Sequence, residues 1–150
     1  MIDVGDVLDL DRYPLDRPES DACLSLIKAC RDDLARNGMF NLEGFVRPEA
    51  IELAGQELSP LVGAVSFHQS RSHNIYFLPE VPGVPSDHPA LAEAVPSSHT
   101  LCDDQMTDTV IHAVYEFAPL ASFLAQVMGK PRLYLMDDPL ARANVMGYRR

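Results

Sequence analysis

MGKPRLYLMDDPLARANVMGYRR, residues 128–150, is the stretch on which the fold turns. Upstream of it, apolar residues recur every three or four positions. Within it the pattern shortens. Arg132-Leu133-Tyr134-Leu135-Met136 and Ala143-Asn144-Val145-Met146-Gly147-Tyr148 are rich in strand formers, and Asp137-Asp138-Pro139 between them has turn chemistry. Gly129 and Pro131 suit the end of a helix and the residues just beyond it. Two strands, 132–136 and 143–148, are therefore expected after a run of helices, which makes the fold mixed, α+β, rather than an all-helical bundle.

Working back from residue 128, Leu120, Phe123, Leu124 and Val127 share one helical face, and Pro119 separates this helix from a second over 110–117. Cys23, Leu26, Ile27, Cys30 and Leu34 mark a helix over 20–37, with Ser20 or Asp21 as cap and Gly38 as terminator. Pro48 opens another over 48–60, apolar at Ile51, Ala54 and Leu58. Residues 39–46, with a turn at Gly44, and 74–78 read as strands. Pro79 to Pro89 reads as a loop, 90–95 as one or two helical turns and 100–102 as a short extended piece. The prolines at 14 and 18 make residues 1–18 an extended N-terminal arm, leaving 19–150 as a single α/β unit.

Composition narrows the function. The 150 residues carry 22 acidic against 12 basic side chains, a net charge of −10, which opposes nucleic acid and anionic membrane surfaces. No run approaches the ~20 apolar residues of a membrane span and the start lacks a signal-peptide pattern, so a cytoplasmic location is expected. Cys23, Cys30 and Cys102 form no C-x-x-C pair and read as buried reduced thiols. There is no phosphate-binding loop, internal repeat or heptad pattern.

No catalytic constellation assembles from spacing alone. His68 and His73 are five apart, which suits neither face of a helix nor of a strand. His112 sits among apolar neighbours and reads as structural. Asp137-Asp138 and Asp103-Asp104 read as turn residues satisfying their own backbone. The segment from Phe67 to Asn74 is polar between apolar elements, and its Arg71 suits a bidentate carboxylate contact.

A succession of segments carries a resemblance: Tyr13-Pro14-Leu15-Asp16-Arg17-Pro18, Asn41-Leu42-Glu43-Gly44-Phe45 with Arg47-Pro48-Glu49-Ala50, Asn74-Ile75-Tyr76-Phe77, Ser98-His99-Thr100-Leu101-Cys102-Asp103-Asp104-Gln105, Met128 to Tyr134, Asp137 to Ala141, and Asn144 to Tyr148. In that order they resemble the bacterial non-haem iron(II), 2-oxoglutarate-dependent oxygenases that hydroxylate or halogenate free amino acids. The resemblance implies the helical N-terminal support region of a double-stranded β-helix (cupin-like) oxygenase, truncated before most of the barrel and before its His-X-Asp motif. Fe(II) and 2-oxoglutarate are then expected for the full-length protein and neither is expected bound to these 150 residues alone. The chemistry implied is oxidative decarboxylation of 2-oxoglutarate with oxidation of an unactivated carbon in a small-molecule substrate. Asn144 and Tyr148, on one strand face by their even spacing, and Arg71 and His73 are the candidates to face substrate or cofactor. An exposed edge after 143–148 implies self-association. Two other readings stand beside it. One is a non-catalytic binding scaffold derived from that family, and the other a small metal-binding protein using His68, His73, His99 and nearby aspartates.

Overall fold

Ser20 and Gly38 bracket a helix of 17 residues. In the computed structural model, which describes residues 2–149, helix α2 runs Asp21–Asn37. The Cys23 N–H donates to Ser20 Oγ at 3.2 Å, and Gly38 adopts φ 72°, the left-handed conformation that ends a helix without a Cβ penalty. Cys23, Ile27 and Cys30 form its buried stripe. They pack against Phe123 and Val127 of α5 (Ala118–Val127), and Tyr13 and Leu15 from the N-terminal segment complete this cluster. The Tyr13 hydroxyl is satisfied by donating to the Glu43 carbonyl at 2.7 Å.

A second cluster joins Val7 of α1 (Val4–Val7), Leu8, Ala50 and Ala54 of α3 (Pro48–Ala64), and Val110 of α4 (Val110–Glu116). Leu10, Phe45 and Phe117 touch both clusters and weld them. Residues 2–18 are thus not an extended arm, since they carry a helical turn and four core side chains, Val7, Leu8, Tyr13 and Leu15. The strand expected over 39–46 reduces to one antiparallel bridge, Leu8 with Val46, closed by Asp9 N–H to the Phe45 carbonyl and Arg47 N–H to the Val7 carbonyl. Helix α3 continues four residues past the expected end at 60, through Pro60 itself.

The sheet has three antiparallel strands in the order β1 (Phe67–Ser70), β2 (Ser97–Cys102), β3 (Asn144–Arg149). His68 lies opposite His99, and Asn144, Met146 and Tyr148 lie opposite Cys102, Thr100 and Ser98. The fold is therefore α+β, as the change of period implied. Two expected strands are absent. Residues 74–78 form a turn organised by the Asn74 side chain, with Phe77 at φ 55°, and 132–136 run irregularly, Arg132 lying over the Tyr134 ring at 4.1 Å. Strand-forming residues need a neighbouring ladder, and neither segment has one. β1 lies in the segment that stands out in sequence only as polar; its histidine and serine side chains hide the strand from a hydrophobicity pattern.

Among the described residues no single helix is long and apolar enough to cross a membrane. Helices α4 and α5 reach that composition only jointly, across a 53° bend, and they bury Val110, Phe123 and Val127 in the two clusters.

Candidate functional site

The four residues singled out from sequence do not converge. Asn144 begins β3, donates from Nδ2 to the Leu140 carbonyl at 2.8 Å, and stands at the rim of an apolar cleft of about 540 Å3. Ala50, Ile51 and Ala54 of α3 and Val110 and Val114 of α4 form its floor. A cleft of this size and apolarity with few polar groups is a typical small-molecule site. Tyr148 shares the strand face of Asn144, yet four residues of extended chain separate them by about 13 Å, and Tyr148 is exposed.

Arg71 follows β1 and is exposed. His73 pairs with Ala94 in an isolated bridge, stacks on Phe77 at 4.2 Å and hydrogen-bonds through Nδ1 to the Asn74 carbonyl at 3.0 Å. A carbonyl only accepts, so that nitrogen carries the proton and His73 is occupied with holding its own turn. β1 lies two strands from β3, about 10 Å away, and reaches the Tyr148 end rather than the Asn144 end.

A polar cluster that spacing did not reveal joins α4 to the segment entering β3. Asp103, 4 % exposed, lies 3.5 Å from His112 Nε2 and 3.8 Å from Arg142 Nε. His112 Nδ1 is 3.7 Å from Glu116, one helical turn on, and the Arg142 guanidinium donates to Glu116 at 2.6 Å. The hydrogen bond from Arg142 to Glu116 is the chief cause that raises the guanidinium's affinity for its proton, so Arg142 is a permanent cation against two carboxylates. Tyr115, whose ring lies under that guanidinium at 5.6 Å, accepts from the Met136 N–H at 3.2 Å. Tyr115 and Glu116 of α4 therefore fasten residues 136 and 142 of the irregular segment that leads into β3, which fixes the position of Asn144. Asp103 is not a turn residue bonding its own backbone, as its sequence context suggested. The signal for the cluster was the His112/Glu116 step of four, which aligns both on one helix face. Asp138 does behave as expected, its Oδ1 accepting from the Leu140 N–H at 2.9 Å.

On the other side of α4, Thr109, His112, Glu116 and Phe117 with Ile2 and Val4 line a more polar cleft of about 360 Å3. The three cysteines are free and buried. No known family, curated protein or solved structure matches this chain.

Proposed function

We propose that this chain is the N-terminal part of an iron(II), 2-oxoglutarate-dependent oxygenase that hydroxylates or halogenates a small molecule such as a free amino acid. The observation that carries the reading is the setting of β3. It is the outer strand of its sheet, with Met146 and Tyr148 exposed on one face and Asn144 at the mouth of the apolar cleft. An edge of this kind is a template on which further strands add, which is what a barrel built after residue 148 requires. On this reading the helices behind it form the support layer, and Glu116 and Tyr115 hold the entry to the strand through Arg142 and the Met136 amide.

The described residues themselves do not suit iron. Among them no three His, Cys, Asp or Glu converge on a common point. The histidines facing each other across β1 and β2 have no carboxylate partner there, and in the Asp103–His112–Glu116 cluster the Arg142 cation already occupies the position of positive charge. On this reading the metal and 2-oxoglutarate ligands are supplied by residues outside these 150, and Asn144 contributes to the substrate wall.

The test is to read the coding sequence past codon 150, express its full product and measure succinate formed from 2-oxoglutarate with Fe(II) and a panel of free amino acids. Succinate dependent on Fe(II) and on one amino acid is the expected result. A stop after Arg150, or a longer product that turns over no 2-oxoglutarate, overturns the proposal and favours the non-catalytic scaffold.

A further inference from the structure

We infer that His68 and His99 form a two-imidazole site for a first-row divalent ion, Cu(II), Ni(II) or Zn(II), on the face of the sheet opposite Asn144 and Tyr148. This inference does not depend on the oxygenase reading.

The register makes the two histidines directly opposed cross-strand partners, so both side chains leave the sheet on the same face. Their ring centroids are 4.7 Å apart with a tilt of 31°. Zinc–imidazole bonds are about 2.0–2.1 Å, which sets the ion roughly 3.2 Å from each ring centre. Two rings on adjacent coordination positions, at angles of about 90–110°, then have centroids about 4.5–5.2 Å apart. The observed spacing lies inside that window with the strands where they stand, and the exposed His68 ring is the one that would turn to complete the chelate.

The hydrogen bonds decide which nitrogen of His99 is offered. Ser66 Oγ lies 2.6 Å from the Val62 carbonyl and must spend its one proton there, because a carbonyl only accepts. Its 3.1 Å contact with His99 Nδ1 therefore needs the proton to come from the ring. Neutral His99 is the Nδ1–H tautomer, with the Nε2 lone pair free. This is the arrangement by which a ligating histidine is oriented, one nitrogen donating to a fixed acceptor while the other meets the metal. The acceptor is anchored in turn to the last turn of α3. His68 is exposed, which gives an ion access, and its Nε2 contacts Ser97 Oγ at 2.9 Å, leaving Nδ1 available.

Among the described residues no third His, Cys, Asp or Glu joins the pair, so water fills the remaining positions. Such a site selects ions that favour imidazole and tolerate an open shell, with Cu(II) bound tightest, and discriminates against Mg(II) and Ca(II). The net charge of −10 favours any cation.

The experiment is calorimetric titration of the whole chain with ZnCl2 and electron paramagnetic resonance of its one-to-one Cu(II) complex. The wild-type chain should bind one Zn(II) and show two coupled imidazole nitrogens on copper. His68→Asn, at an exposed position, should stay folded by circular dichroism, lose Zn(II) binding at least tenfold and show one nitrogen. Ser66→Ala should weaken binding about tenfold by freeing the His99 ring. His112→Asn and His88→Asn should bind as wild type. Unchanged binding in His68→Asn, or a wild-type copper spectrum without two nitrogens, overturns the site.

Discussion

Replacing Phe123 by alanine tests the packing on which every other inference rests. Phe123 is 2 % exposed in the cluster that joins α2, α5 and the N-terminal segment, and its ring meets Phe40 edge-on at 6.2 Å and 77°. A phenylalanine buries about 150–250 Å2, which at about 25 cal/mol per Å2 is roughly 4–6 kcal/mol as an upper bound. Alanine retains part of that area, while the cavity it leaves adds a further cost, so a loss of about 4 kcal/mol is expected. For a chain of this size that lowers the melting temperature by roughly 8–16 °C. Urea unfolding followed by circular dichroism gives the free energy, with Phe67→Ala as the internal control. Phe67 is 58 % exposed on the sheet face, so its truncation should change stability by less than about 0.5 kcal/mol. A loss below about 1 kcal/mol for Phe123→Ala, or equal losses for the two variants, would refute the assignment of the core to the helical layer.

Three further outcomes are expected. Asn74 is buried, accepts from the Tyr76 and Leu78 N–H groups and donates to the Leu78 carbonyl, so Asn74→Ala should cost about 1–3 kcal/mol and open 74–78 to protease, read by cleavage mapping. Burial first, then the charge of Asp16 for Cys23 and of Asp33 for Cys30, raises both thiols above their ordinary 9.0. Their contribution to stability is whole below that value and is lost as pH rises through the folded-state values. Unfolding curves should therefore weaken above about pH 9, less so in Cys23→Ala/Cys30→Ala relative to its own neutral-pH stability, and both thiols should react slowly with a disulfide reagent at pH 7. The exposed edge of β3 should make the chain self-associate with rising concentration in sedimentation, and Met146→Lys should suppress this; a single monomeric species throughout would count against an adhesive edge.

Local signals were legible where one side chain decides a local geometry. Ser20 and Gly38 could be read as the ends of α2 because each acts on its own helix terminus. Strands were harder, because a strand exists only through a partner distant in sequence. Ile75 to Leu78 and Leu133 to Met136 have the composition of strands, yet the first is curled by Asn74 and the second is tied down through the Met136 amide. β1 has little strand-like composition and pairs with β2 along its whole length. The same limit applies to the site. Even spacing correctly put Asn144 and Tyr148 on one face, but not at one place. Asp103, His112, Glu116 and Arg142 are spread over 40 positions and meet only because α4 lies between β2 and the segment entering β3.

Pro60 has a kinetic consequence. It lies inside α3 and offers no N–H to the carbonyl of Gln56, while Ser59 Oγ donates to the Gly55 carbonyl, so the helix ladder is interrupted one turn before α3 ends and the chain turns toward the sheet. No residue of α3 beyond Ala54 is fully buried. Amide protons on the two sides of this seam should therefore report different openings. Those of α2 and α5 should exchange only when the whole molecule unfolds, whereas those from Leu61 through β2 should exchange through a smaller, more frequent opening that leaves the helical layer intact. The sheet would then behave as a separately breathing unit, able to admit a new strand or a metal ion without disturbing the core that holds it in register.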